Sequence, residues 1–124
     1  MAHVLTIIGR VPSKKNSKQI VYVKGRPLII SSADFKKWQR QATEQLASQV
    51  QPGVKLFNGM VAMKLFAPDR RASDLTNKAE SVMDLLVDCG HLEDDNWFVV
   101  PEVRLSFGGV DKENPRVEIH DSEI

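Results

Sequence analysis

Apolar residues recur along this chain at two periods, and each period predicts an element. His3 to Ile8 is rich in Val, Leu, Thr and Ile and predicts a strand, closed by Gly9-Arg10. Gln19 to Val23 alternates as a short strand. Lys24-Gly25-Arg26 turns it, and Pro27 to Ile30 returns as its partner. Phe35, Trp38, Ala42 and Leu46 then follow at i, i+3, i+7 and i+11, and Val50 extends the same stripe. This spacing predicts a helix capped by Ser31 or Ser32 and stopped by Gln51-Pro52-Gly53, with Lys36, Lys37 and Arg40 off the buried stripe. Met60 to Phe66 predicts a strand and Ala67 to Ser73 a charged loop. Leu75, Ala79, Val82 and Leu86, widened by Met83, predict a second helix that ends at Gly90. Val99 to Phe107, interrupted at Pro101, and Val117 to His120 predict the last strands. Gly108-Gly109 and Asn114-Pro115 bracket the loop between them. The order β-ββ-α-β-α-β-β predicts an α+β fold, a single small domain over residues 1–124. It would be a mixed β-sheet with two main helices packed on it.

Composition narrows the class. The chain has 124 residues, 42% hydrophobic and 27% charged, enough for one domain with a modest core. No apolar run approaches the ~20 residues needed to span a bilayer, so no membrane partner is expected. The start, MAHVLTIIGRVPSKKN, lacks a charged lead into an apolar core and a small-residue cleavage site, and reads as a strand rather than a signal peptide. Cys89 is the only cysteine, which excludes an internal disulfide and fits a reducing cytoplasm.

The net charge of +1 conceals a division. Residues 1–73 carry 13 Lys and Arg against 3 Asp and Glu, and residues 74–124 carry 4 against 13. A basic half of this kind suits a polyanion, although two halves that neutralise each other across one fold explain it equally.

The candidate chemistry is concentrated in PDRRASDLTNKAESVMDLLVDCGHLEDDN, from Pro68 to Asn96. Asp74 opens the second helix, as a cap or as a ligand; Ser73 is a competing cap. Thr76, Glu80 and Asp84 follow at i, i+4 and i+8 and line one flank, joined by Asn77. A solvated face is the default for Asp84 and Asp88. Glu93-Asp94-Asp95 places three carboxylates in a row, tolerated in open solvent or beside cations. Two carboxylates brought together from distant positions would hold a hard cation such as Mg²⁺, which activates water and polarises phosphate. Lys14, Lys15, Asn16 and Lys18 form a basic loop suited to a phosphate backbone, and Arg70-Arg71 stand just before Asp74. The competing reading pairs these arginines with the Glu93–Asp95 cluster. His91 reads as a loop residue and Cys89 as a small apolar group at the helix end. Trp38 reads as core. Trp97 and Phe98 either pack beneath the acidic turn or stack on a base, and packing is the expectation. No Gly-rich phosphate loop or nucleophile elbow occurs.

The Pro68–Asn96 segment resembles the central motif of the RusA-type Holliday junction resolvases of phages and prophages. Val11-Pro12-Ser13 to Asn16 is similar to that family's N-terminal loop, and the likeness extends through the hairpin to Trp38. The resemblance implies a homodimeric endonuclease that resolves four-way DNA junctions by paired nicks with Mg²⁺ or Mn²⁺, in the cytoplasm of a bacterial or phage-infected cell. Asp74 would correspond to the first metal ligand, Asn77 to the motif asparagine and Asp95, 21 residues after Asp74, to the last ligand. Thr76 stands where a second aspartate is expected, and Glu80 where a lysine is expected. Glu80, one turn on, is long enough to supply the missing carboxylate, and Arg71 or Lys78 the missing cation. On that reading Asp74, Glu80 and Asp95 are catalytic, Asp94 completes the metal set, and Lys14, Lys15, Asn16, Lys18, Arg70 and Arg71 bind branched DNA. Two alternatives stand beside it: a DNA-binding protein of the same fold without catalysis, and an interaction protein in which acids and arginines merely pair.

Overall fold

A computed structural model describes residues 4–14 and 18–121. His3, Lys15 and Asn16 lie outside the described residues, as does the side chain of Lys18. The elements are β1 (Val4–Ile8), β2 (Lys18–Val23), β3 (Arg26–Ser31), α1 (Ala33–Gln49), β4 (Met60–Ala67), α2 (Leu75–Asp88), β5 (Glu102–Val110) and β6 (Arg116–His120). β1, β6, β4 and β5 form one mixed sheet in that order, antiparallel except for the parallel pair β4–β5 that α2 connects. The α+β architecture is therefore the one the hydrophobic pattern predicts.

One sheet face carries the core. Leu5 opposes Ile119, Ile7 opposes Val117, and Met63 and Leu65 meet the same two residues from β4. All are buried, and Trp38, Ala42 and Leu46 of α1 join Val82 and Leu86 of α2 against them. The predicted stripes of both helices are thus the buried ones. Ser32 rather than Ser31 caps α1, its Oγ accepting from the Phe35 N–H at 3.2 Å.

The outer edge of β1 is closed by side chains. Gln49 exchanges two hydrogen bonds with Thr6, at 2.8 and 2.7 Å, and Gln45 does so with Ile8, at 2.7 and 3.1 Å. Two glutamine amides imitate a neighbouring strand and blunt an edge that would otherwise template pairing.

Three features depart from the sequence expectation. β2 and β3 form a separate hairpin sheet, with Ile20, Tyr22 and Ile29 exposed. β5 begins at Glu102, after Pro101, because the Val99 and Val100 N–H groups turn back onto the Asn96 carbonyl at 3.1 and 2.9 Å. It then runs through Gly108-Gly109, which the sequence assigned to a loop. The register shifts there, from Leu65↔Phe107 to Phe66↔Gly109, so Gly108 is the extra residue of a bulge. A Cβ on Gly108 would lie 2.6 Å from the Phe66 ring, which explains the glycine. No helix of the described residues is long and apolar enough to cross a membrane.

Candidate active site

α2 is the scaffold of the site, and its two ends are fixed by its sequence. Asp74 is the N-cap. Its Oδ1 accepts from the Thr76 N–H at 3.1 Å, the Thr76 hydroxyl at 2.8 Å and the Asn77 N–H at 3.5 Å, and Oδ2 accepts from the Asn77 amide at 3.4 Å. These bonds, led by the Thr76 hydroxyl, hold the Asp74 carboxyl below the usual carboxylate range. At the other end the His91 N–H reaches the Leu86 carbonyl at 2.9 Å and the Gly90 N–H reaches that of Val87 at 3.0 Å. This is a Schellman closure, with Gly90 at φ 79°. It reverses the chain and sends the acidic turn back along the helix. His91 lies in the loop expected for it, but buried, its Nδ1 2.7 Å from the Val54 carbonyl.

The returning turn delivers Asp95 to the polar flank of α2. Thr76, Glu80 and Asp84 line one cleft of about 380 Å³, and Asp95 and Lys14 complete its polar wall. The i, i+4, i+8 flank and the distant acidic cluster are thus brought together. Asp74 does not line this cleft; it stands one turn away, bonded to Thr76.

Lys14 arrives because its loop is pinned to the same helix. Lys78 Nζ donates to the Val11 carbonyl at 2.6 Å and Ser81 Oγ to the Pro12 carbonyl at 2.8 Å. Lys14 then forms an ion pair with Asp84, and its ammonium sits 5.6 Å from the Phe35 ring centroid. Asp84 is therefore a half-buried member of the cleft, not the solvated residue expected from its place on the helix. Its spacing from Thr76 and Glu80 was the available signal.

The acidic turn divides its two aspartates. Asp94 accepts from the Asp95 N–H at 2.7 Å and from the Asn96 amide at 3.0 Å, which hold its carboxyl low. Asp95 is pushed the other way, first by withdrawal from solvent, then by its hydrogen bond to Asp94 and the charges of Asp94 and Asp84. The Asp84 contribution places both acids within electrostatic reach of each other.

The arginines take a different partner from the one considered. Arg71 pairs with Asp69 at 3.2 Å, and Arg70 enters no ion pair among the described residues. The Glu93–Asp95 cluster is accordingly not absorbed by them. Arg70 and Arg71 line a second cavity at the start of α2. Trp97 and Phe98 do not pack beneath the turn: they are 77% and 88% exposed, in edge contact with centroids 6.2 Å apart. They sit in a tight turn in which Asn96 Oδ1 accepts from the Phe98 and Val99 N–H groups at 3.0 and 3.2 Å.

Glu80, Asp84 and Asp95 are the oxygen donors of the cleft that could hold a hard cation. Loss of solvent is the main cause of the raised Asp95 carboxyl, and the charges of Asp94 and Asp84 add to it. No three His, Cys, Asp or Glu side chains converge as a metal cage among the described residues. No protein-family model matches this chain, and no curated protein matches it.

Proposed function

We propose that this chain is a metal-dependent endodeoxyribonuclease of the RusA type that cuts branched DNA at four-way junctions, acting as a cytoplasmic homodimer. One observation carries the reading. Carboxylates from two distant segments, Glu80 and Asp84 on α2 and Asp95 on the returning turn, line a single cleft beside a lysine.

Asp84 and Asp95 are the residues that would hold Mg²⁺ or Mn²⁺, with Glu80 beside them on the same cleft wall and Asp94 orienting the turn. The cation, when bound, supplies charge neutralisation and Lewis-acid polarisation of the scissile phosphate. The chain's own groups do the rest. A carboxylate of the cleft accepts the proton of the attacking water. Lys14, released from Asp84, meets the charge that develops on phosphate oxygen. Arg70 and Arg71 hold the adjoining backbone as charge-assisted donors. Asp74 fixes the first turn of α2 and thereby the position of Thr76.

A second reading, junction binding without cleavage, draws on the ion pair of Asp84 with Lys14 and the fully engaged Asp74. Both acids already have protein partners. A labelled four-way junction and a matched linear duplex, each incubated with Mg²⁺ and then Mn²⁺, decide between the two. Symmetric nicks confined to the junction support the nuclease. Salt-sensitive junction binding without nicks in either metal supports the binder.

A further inference from the structure

A cavity of about 880 Å³, larger than the acidic cleft and outside it, lies at the carboxyl ends of the parallel pair β4–β5. Ligands of open α/β sheets collect at such strand ends, and this volume lies within the ~300–1,000 Å³ of small-molecule sites. Its rim is cationic: Arg10, Arg70, Arg71 and Lys78 face it, against the single carboxylate of Asp69. Asp69 is engaged by Arg71, and Arg10 and Arg70 enter no ion pair among the described residues. Lys78 is half-buried, and its ammonium is pushed down by burial and then by the charges of Arg10 and Arg71. Positive charge is therefore in excess here, and an anion would relieve it.

The wall is apolar, formed by Leu65, Val110 and Phe107. The two phenylalanines at the cavity differ. Phe66 is covered by the Arg116 guanidinium, 3.8 Å from its centroid. Phe107 is 61% exposed on the edge strand β5, immediately before the bulge at Gly108. Bulges often re-aim a side chain next to a site. A solvent-facing aromatic ring beside a cluster of guanidinium groups is the combination that seats a nucleotide, the ring taking the base and the cations the phosphate.

We infer that this cavity holds one unpaired deoxynucleotide of a branched DNA, with its phosphate on Arg10, Arg70 and Arg71 and its base against Phe107. The inference deepens the DNA reading above and rests on it. It gives branch recognition a physical basis, because a paired base cannot reach Phe107 while stacked in a duplex.

The test is a titration of the ¹⁵N-labelled chain with thymidine 5′-monophosphate and, separately, inorganic phosphate. Junction binding is measured in parallel by gel shift. The nucleotide is expected to move amides of Ala67–Leu75 and Phe107 and to bind more tightly than phosphate. Phe107→Ser, at an exposed position, is expected to keep the fold by circular dichroism and to weaken nucleotide binding about tenfold, the order of one stacked base. Arg70→Ala is expected to weaken both ligands. Equal affinity for nucleotide and phosphate, with Phe107→Ser inert, would reduce the cavity to a backbone contact and overturn the inference. No shift with either ligand, while salt-dependent junction binding persists, would overturn it and leave the DNA reading standing. Nucleotide binding at Phe107 without any junction binding would keep the seat and remove its assignment to branched DNA.

Discussion

Asp95 and Asp74 carry opposite proton affinities, and each yields a pH signature. The folded-state affinity of Asp95 for a proton is raised. Its stabilising contribution is thus present below the unfolded carboxylate pKa and lost as pH rises through the higher folded value. The ionised carboxylate works against the fold at neutral pH. Asp95→Asn is expected to raise the urea midpoint at pH 7, with the gain fading in acid. A carboxyl ¹³C titration should place Asp95 above Asp94, and Asp84→Asn should bring Asp95 down by removing a neighbouring charge. Asp74 behaves in reverse: its lowered affinity stabilises the fold above the unfolded carboxylate pKa, and that contribution disappears as pH falls through the folded value. Asp74→Ala should therefore destabilise at neutral pH and lose its effect in acid. Asp74→Asn retains an acceptor oxygen and separates the two roles open to this residue. Unchanged stability with lost cleavage would mark a ligand, whereas near-normal cleavage would mark a cap alone. The sequence showed Asp74 at the helix start and the Thr76–Glu80–Asp84 flank. It did not show that Lys14 pairs with Asp84, because that contact depends on the Val11 and Pro12 carbonyls docking on Lys78 and Ser81.

Among the elements, the helices were the most legible and β5 the least. α1 and α2 obey a single periodicity, and Phe35, Trp38, Ala42, Leu46, Ala79, Val82 and Leu86 are buried as the stripes require. β5 broke two local rules at once. Its expected start at Val99 lost its amides to Asn96, and two glycines that ordinarily end a strand serve here as a bulge. Neither follows from propensity, since one depends on a side-chain turn and the other on the Phe66 ring across β4. Gly108→Ala is accordingly expected to cost about 1–3 kcal/mol as an overpacking change. Phe66→Leu, which withdraws the ring, should recover part of that loss; chemical denaturation of the double-mutant cycle measures it. The β1 edge supplies a second test. Gln45→Ala with Gln49→Ala removes four hydrogen bonds to the strand backbone. Light scattering should then show greater self-association than in the parent, as expected of an uncovered edge.

At the scale of the whole molecule, the division of charge along the chain becomes a division around α2. Cations gather at its N-terminal end, with Arg10, Arg70, Arg71 and Lys78, while the acids gather farther along its flank with Asp95. The two halves meet in the Lys14–Asp84 ion pair, yet the arginines next to the motif do not pair with the Glu93–Asp95 cluster, and each cavity carries an excess of one sign. A phosphodiester chain running along α2 would meet cations first and the acidic cleft second. Its binding should weaken with salt, and Arg70→Ala should lower the slope of log K against log salt by about one unit. The exposed Trp97–Phe98 pair borders the acidic end of this path; sequence alone favoured burial, since aromatic residues so close to a buried stretch usually pack.

The central claim is that the cleft of Glu80, Asp84 and Asp95 performs the cleavage. The most direct measurement is single-turnover nicking of a labelled four-way junction by the parent, Asp84→Asn, Asp95→Asn and Glu80→Gln, with junction binding measured for each. The expected result is nicking by the parent, slowed about 10–100-fold or more in each variant at nearly unchanged binding. Parent nicking that survives both Asp84→Asn and Asp95→Asn, or a parent that binds the junction and never cuts it, would contradict the claim.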